Sequence, residues 1–314
     1  MPHRLKGQSI IWSQDLDADL HAEVFDRADF LKKKPRNSCL KNKTVINLFL
    51  EKSTRTRMSF QAATTQLGGS HQLIEGAMEF SSFGKGESFE DGIRVISAYG
   101  DAIVLRDKDD NAAMKARDYL QSQNIWVPVI NAGCGGIRGQ HPTQSLLDVY
   151  TIRSIRGRIE NLTIVIVGDL KHSRVVRSLV YLLGKYPGIR IILVAPWELA
   201  IGYDMLAYMR RHKVEFEQTS DLASVIAQAD IVYMTRVQKE RFEDPAEYER
   251  LKNSYRLTVA LAERMRPDAR IMHPLPRVDE IDEVVYRLPQ AHWYQQSDNG
   301  VPVRKALLEM VLGK

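Results

Sequence analysis

Residues 163–167 read Thr-Ile-Val-Ile-Val and end abruptly at Gly168-Asp169. Nothing in that run alternates between apolar and polar, so neither face of the strand it predicts can meet water. A strand buried on both faces needs a cover on each side, and helices supply it. The pattern recurs: runs at 44–50, 101–105, 126–131, 190–194, 230–234 and 270–272 each predict a short buried strand. Between them lie stretches with apolar residues at helical spacing. These are 58–67 before Gly68-Gly69, 141–152 with Pro142 suited to a first turn, 174–183 before Gly184, 203–211 and 303–312. Short strands alternating with helices predict parallel sheets. Two such series, linked by the helix from His141, predict an α/β chain of two doubly wound parallel-sheet domains joined by helices. At 314 residues the chain is long enough for two cores. The final stretch, amphipathic by its pattern, fits on either domain.

The net charge is +5 and the isoelectric point about 9.1, a balance that raises both nucleic acid and anionic small molecules as partners. The basic residues are spread along the chain. Their densest run, Lys32-Lys33-Lys34 between Leu31 and Pro35, reads as a solvated helix end. With no aromatic–basic stacking motif, no nucleic-acid partner is expected. No apolar run approaches the ~18 residues a membrane span needs. The patch Ile10-Ile11-Trp12 is too short for the core of a secretion signal. No membrane association and a cytoplasmic location are therefore expected. Two cysteines, Cys39 and Cys134, make neither a disulfide framework nor a zinc site. Cys134 near His141 raises a Cys/His nucleophile pair, but nothing beside it in the sequence lowers a thiol pKa, and a reduced loop thiol is the simpler reading.

Ligands of open parallel sheets bind at the carboxyl ends of the strands, so the polar residues after each predicted strand carry the functional reading. After the first come Ser53-Thr54-Arg55-Thr56-Arg57, opening a helix. A plain N-cap accounts for one hydroxyl. It does not account for three hydroxyls and two arginines together. Helix N-termini favour anions and guanidinium forks match phosphate oxygens, so this segment predicts a bound phosphate-bearing small molecule. After the second strand comes Arg106, which alone is compatible with a surface ion pair. After the third, a loop with Gly133, Gly135, Gly136 and Gly139 leads to His141-Pro142-Thr143-Gln144. His141 and Gln144 share a face at a helix start, where the dipole opposes protonation of an imidazole. His141 is then either a donor to a carbonyl oxygen or a capping residue. In the second series Arg174 opens a helix, Arg236 and Gln238 follow a strand, and His273-Pro274-Leu275-Pro276-Arg277 follows the last one. Two prolines stiffen that loop, which suits either aiming carbonyls at an amide or ammonium group or simply joining two elements. No cofactor and no metal are expected: the chain lacks G-x-G-x-x-G spacing, a phosphate-binding Gly-Lys-Ser/Thr loop, HExxH and CxxC.

Taken in this order, residues 53–57, Lys85-Gly86-Glu87-Ser88, 141–148, Gly168-Asp169-Leu170-Lys171, 234–241 and 273–277 resemble the aspartate/ornithine carbamoyltransferase family, and within it the catalytic chains that use aspartate. The resemblance runs from near residue 8 to the C-terminus. It implies transfer of the carbamoyl group of carbamoyl phosphate to the amine of L-aspartate, in pyrimidine biosynthesis. It implies a carbamoyl-phosphate-binding domain at 1–142, an aspartate-binding domain at 143–297, and a C-terminal helix at about 298–314 packed back on the first. It assigns Ser53, Thr54, Arg55 and Thr56 to the phosphate, and Arg106, His141 and Gln144 to the carbamoyl end. The carbonyls of Leu275 and Pro276 go to the carbamoyl NH₂ and the amine, and Arg174, Arg236 and Gln238 to the aspartate carboxylates. Arg55, Thr56, Arg106 and His141 are the catalytic candidates. The resemblance also implies a homotrimer with shared active sites, into which Lys85, with Ser81 or Ser82, reaches from the neighbouring chain, Lys85 toward aspartate. Regulatory subunits or a higher assembly are compatible with it. So are an ornithine-using enzyme and a non-catalytic homologue. Two departures stand out: Asp107 follows Arg106 where relatives often have His, and the loop from Gly133 to Gln140 is a few residues longer than usual.

Overall fold

The computed structural model describes residues 3–76 and 86–313. They divide into two compact units, residues 1–147 with 299–314 and residues 148–298. Each unit holds one all-parallel sheet, as the buried apolar runs require.

In the first unit, β1 (Thr44–Phe49), β2 (Ser70–Glu75), β3 (Ala102–Arg106) and β4 (Val129–Asn131) lie in the order β2-β1-β3-β4. Val45 is in register with His71 on one side and Ala102 on the other. The interior strands are those made of Val, Ile and Leu: Val45, Ile46, Leu48 and Phe49 of β1 and Ala102 to Leu105 of β3 are all buried. The edge strand β2 is Ser-His-Gln-Leu-Ile-Glu and mostly exposed, so no apolar run announces it. The strand expected at 126–131 is shorter, because Trp126 is 73% exposed and Pro128 has no N–H to give a ladder. The winding reverses between β1 and β3, and a crevice opens at the carboxyl ends of strands flanking such a reversal.

The C-terminal helix, Gly300–Leu312, packs against the helices Ala18–Lys33 and Thr54–Gln66 of the first unit. It is not amphipathic: almost every residue is buried, charged ones included. Burial of a charge requires a partner, and each has one. Lys305 Nζ donates to the carbonyls of Leu31 (3.0 Å) and Pro35 (2.9 Å), Arg27 Nε donates to Glu309 Oε2 (2.9 Å), and the Arg304 guanidinium lies 5.1 Å from the Phe60 ring centre.

The helix Pro142–Arg156 carries the chain from the first unit into the second. There β5 (Thr163–Val167), β6 (Arg190–Val194), β7 (Glu215–Thr219), β8 (Ile231–Met234) and β9 (Arg270–Met272) lie in the order β7-β6-β5-β8-β9. The reversal falls between β5 and β8. The edge strand β7, Glu-Phe-Glu-Gln-Thr, is again too polar to read as a buried run. Buried polar groups fix the core's surroundings. Asp148 accepts from Tyr233 Oη (2.7 Å) and Gln296 Nε2 (2.6 Å). Asp230 accepts from the Thr163 N–H (2.8 Å), Arg156 Nη2 (2.7 Å) and Arg266.

Candidate active site

At the end of β1 the chain turns into the helix Thr54–Gln66. Ser53 occupies the N-cap position with extended backbone (φ −159°, ψ 110°), and its hydroxyl makes no capping bond to the first turn. The plain capping account of the segment therefore fails. Thr54 and Arg55 are exposed at the helix start, while Thr56 is buried with Oγ1 3.3 Å from His141 Nε2. Arg57, read as a second anion-binding guanidinium, stands instead beside Glu75 at the end of β2, with Nε 3.4 Å from Oε1. The same carboxylate oxygen accepts the Ser53 N–H at 3.2 Å, which fixes the angle at which the helix begins.

Arg106 ends β3. Its side chain is largely buried, with Nη2 3.2 Å from Glu51 Oε2. Gly133, at φ +106°, packs between Arg106 and His141: a Cβ added there would lie 2.9 Å from Arg106 Nη1 and 3.0 Å from His141 Cδ2. A guanidinium, an imidazole and a hydroxyl, delivered from the ends of three strands, thus adjoin one another, Arg106 and His141 across Gly133 and Thr56 beside His141. Such groups donate to an oxygen that gains negative charge. Gln144 lies on the first turn beyond, its N–H donating to the His141 carbonyl at 3.0 Å.

The loop that carries Gly133 and leads to His141 is fastened by residues that sequence reasoning did not single out. Asn131 Oδ1 accepts the N–H groups of Gly133 (2.9 Å) and Cys134 (2.8 Å), and its Nδ2 donates to the Ile11 carbonyl (2.9 Å). Asp110 accepts the Gly136 N–H at 2.6 Å. Gln140 accepts the Ser13 N–H and donates to Gln14, both at 2.7 Å. The one available signal was the pair of amide side chains, Asn131 and Gln140, that flank the glycines. Asp107 supports the same loop through its carbonyl, which accepts the Gly135 N–H at 2.8 Å. Its carboxyl, pushed up by burial, accepts the Asp109 N–H at 3.0 Å. Cys134 is a free thiol, buried, with Sγ donating to the Leu105 carbonyl at 3.4 Å.

In the second unit β5 ends at Gly168, at φ +115°. The Thr235 carbonyl comes so close that a Cβ would meet its oxygen at 2.2 Å. The buried Asp169 then ties the two strand-end loops together: it accepts the His172 N–H (3.0 Å) and the Gln238 N–H (3.4 Å), with His172 Nδ1 also 3.0 Å away. Arg174, largely buried at the start of the helix Arg174–Leu183, and Arg236 with Gln238 thereby come to one end of the sheet. Ser173 caps that helix by accepting the Val176 N–H at 3.3 Å. After β9, the His273 N–H donates to Gln296 Oε1 and the Leu275 N–H to His273 Nδ1, both at 2.8 Å. Leu275 has φ +58° and its bond to Pro276 is cis.

Ser53, Thr54, Arg55, Thr56, Arg106, His141 and Gln144 belong to the first unit, and Arg174, Arg236, Gln238, Leu275 and Pro276 to the second. Ser81, Ser82 and Lys85 lie outside the described residues. Among the described residues no group of three or more His, Cys, Asp or Glu side chains is placed to hold a metal ion. No helix among them is long and apolar enough to cross a membrane.

Two family models match the chain: the carbamoyl-phosphate-binding domain of aspartate/ornithine carbamoyltransferases over residues 8–154, and the aspartate/ornithine-binding domain over residues 160–311. The chain belongs to the aspartate/ornithine carbamoyltransferase family. This carbamoyltransferase-family chain is 42% identical to the aspartate carbamoyltransferase catalytic subunit of Vibrio campbellii over 314 residues, all of this chain and 99% of that protein. It is 42% identical over 311 residues to the same subunit of Methanothrix thermoacetophila, covering 98% of this chain and 99% of that one. Its fold is similar to the crystal structure of Trypanosoma cruzi aspartate transcarbamoylase in complex with N-(phosphonacetyl)-L-aspartic acid, with a TM-score of 0.91 and 33% identity over 99% of this chain and 98% of the other. The catalytic subunit of M. jannaschii aspartate transcarbamoylase gives a TM-score of 0.84 at 41% identity, over 96% of this chain and 97% of that one.

Proposed function

We propose that the chain transfers the carbamoyl group of carbamoyl phosphate to the amine of L-aspartate, giving N-carbamoyl-L-aspartate and phosphate, a step of de novo pyrimidine biosynthesis. The observation that carries this reading is the meeting of Arg106 and His141 across Gly133 with Thr56 beside His141, next to a helix start whose serine does not cap it. In this reading residues 1–142 form the carbamoyl-phosphate-binding domain, rejoined by the C-terminal helix, and residues 143–297 the aspartate-binding domain.

The substrates bring a phosphate and two carboxylates, and the residues assigned to them are cationic. Ser53, Thr54, Arg55 and Thr56 hold the phosphate through hydroxyls, main-chain N–H groups and one guanidinium. Thr56, Arg106 and His141 donate to the carbamoyl oxygen, and Gln144 and the carbonyls of Leu275 and Pro276 take the carbamoyl NH₂ and the attacking amine. Arg174, Arg236 and Gln238 hold the aspartate carboxylates. The nucleophile is the substrate's own amine: its lone pair forms the new C–N bond, the carbonyl oxygen gains charge, and the C–O bond to phosphate then breaks. The departing phosphate takes the amine proton. The protein supplies position and charge stabilisation, and loss of one oxyanion donor typically lowers turnover by ~10²–10³.

The site is completed in a cytoplasmic homotrimer, where Lys85 and Ser81 or Ser82 of a neighbouring chain reach in, Lys85 toward aspartate. Regulatory subunits or a higher assembly are compatible with this arrangement. An ornithine side chain is cationic and calls for an acidic partner, whereas Arg236 and Arg277 flank the acceptor loops. A ureido colorimetric assay of the purified chain against aspartate and ornithine tests the reading. Aspartate turnover is expected to dominate; equal or preferred use of ornithine overturns it. No turnover with retained binding of a bisubstrate analogue would mark a non-catalytic homologue.

A further inference from the structure

Glu280 is a buried carboxylate in the loop after β9, and none of the roles above uses it. Its Oε1 lies 2.7 Å from His273 Nε2, and its two oxygens accept the Val278 N–H at 3.2 and 3.1 Å. His273, also buried, accepts the Leu275 N–H on Nδ1 at 2.8 Å. An imidazole that accepts on Nδ1 carries its proton on Nε2, which here faces the carboxylate. Glu280 therefore selects the tautomer that can grip the Leu275 amide. That amide is under strain, since Leu275 is held at φ +58°, a left-handed conformation that a residue with a Cβ resists. Burial holds the His273 pKa below its ordinary value, against the hydrogen bond and charge of Glu280, which work the other way, and with Arg277 and Arg236 adding to the lowering. Burial pushes the Glu280 carboxyl up, but the contact with His273 and the main-chain N–H bonds hold it below the usual carboxylate range. The pair is a neutral imidazole whose Nε2 faces an ionised carboxylate at 2.7 Å.

We propose that Glu280 is a positioning residue for carbamoyl transfer: through His273 it locks the Leu275 amide and so sets the direction of the Leu275 and Pro276 carbonyls. The inference rests on the functional reading above, in which those carbonyls meet the carbamoyl NH₂ and the amine. Carboxylates that orient an imidazole act on chemistry they never touch, by fixing which nitrogen is available and where it points.

Glu280→Gln and Glu280→Asp separate reach from charge. Glutamine keeps the length and an acceptor for both His273 and Val278 but removes the charge; aspartate keeps the charge and loses a methylene of reach. For wild type and both variants, kcat and KM for aspartate, Kd for inorganic phosphate and the thermal midpoint are measured. The expected pattern is a Gln variant within about threefold of wild-type kcat and an Asp variant slowed by about 10–100-fold, both with near-native phosphate affinity and midpoint. Equal turnover of all three proteins overturns the proposal. So does a fall confined to the Gln variant, which assigns the effect to charge rather than reach, and so does loss of the folded state in both, which makes Glu280 a stability residue. A wild type that does not carbamoylate aspartate sinks the functional reading, and this proposal with it, before any variant is compared.

Discussion

Gly133→Ala puts a methyl group between two of the candidate donors, Arg106 and His141. Gly133 has φ +106°, and the added carbon meets Arg106 Nη1 at 2.9 Å and His141 Cδ2 at 3.0 Å. Non-bonded atoms rest at ~3.5 Å or more, so the guanidinium must yield by about 0.6 Å or the imidazole by about 0.5 Å. Neither move is free. Arg106 is tied to Glu51 at 3.2 Å, and His141 stands 3.3 Å from Thr56 in a buried setting. A backbone held in a sparsely populated region costs about 1–3 kcal/mol, which lowers the thermal midpoint by about 2–12 °C in a domain of this size. Misplacing reacting groups on this scale costs about 10² in kcat, equivalent to about 2.7 kcal/mol of barrier. Steady-state kinetics of N-carbamoyl-L-aspartate formation, together with a melting curve, measure both effects. Gly157→Ala is the control: φ is +71° there, and a Cβ has nothing within 4 Å, so it carries strain without displacement. Turnover of Gly133→Ala within about threefold of Gly157→Ala would refute the placement of Arg106 and His141 around this glycine as the source of catalysis.

Two further outcomes follow from buried charge. Asp230→Ala removes the acceptor shared by the Thr163 N–H, Arg156 and Arg266; Arg156 keeps Asp268, but the Thr163 N–H loses its acceptor, which should cost about 1–3 kcal/mol, read as a lower urea midpoint, and an unmoved midpoint would contradict the network. Acid should destabilise the second unit from near neutrality. An exposed imidazole titrates near 6.5, and burial lowers His273 below that value, so below 6.5 the unfolded chain binds a proton the native state refuses. Stability then falls as pH drops through 6.5, by at most about 1.4 kcal/mol per pH unit. Glu280, whose folded pKa lies below its ordinary 4.5, adds a second loss at lower pH. Urea titrations at several pH values test this, and His273→Asn should remove the first slope; the same slope in that variant would assign it elsewhere.

The interior strands were legible because burial on both faces leaves no room for polar residues, as in β5 and β3. The edge strands β2 and β7 were not, since an edge half-exposed to water is free to read Ser-His-Gln or Glu-Phe-Glu. The strand ends brought the candidate residues together for a related reason: parallel strands all finish at one end of the sheet, so Thr56, Arg106 and His141 converge whatever the loops between them contain. What failed were statements about single side chains. Arg57 looked like a second anion ligand, yet its partner Glu75 belongs to a strand the pattern could not show. The C-terminal helix looked amphipathic because Arg304, Lys305 and Glu309 are charged, and only tertiary partners reveal that they are buried. Asn131, Asp110 and Glu280 work through main-chain N–H groups and a neighbouring imidazole, and such contacts leave no periodic trace.

The helix Gly300–Leu312 is synthesised after the whole of residues 148–298, yet it fills the core of the unit that was begun first. On the ribosome the later unit emerges as one unbroken stretch and can close by itself. The earlier unit has to wait, with the inner faces of the helices Ala18–Lys33 and Thr54–Gln66 lacking their cover until the last turns arrive. The hydroxyl of its cluster, that of Thr56, sits on the helix that this late segment clamps. Premature release of a nascent chain before residue 300 should therefore yield a folded second unit attached to a sticky, unfinished first one.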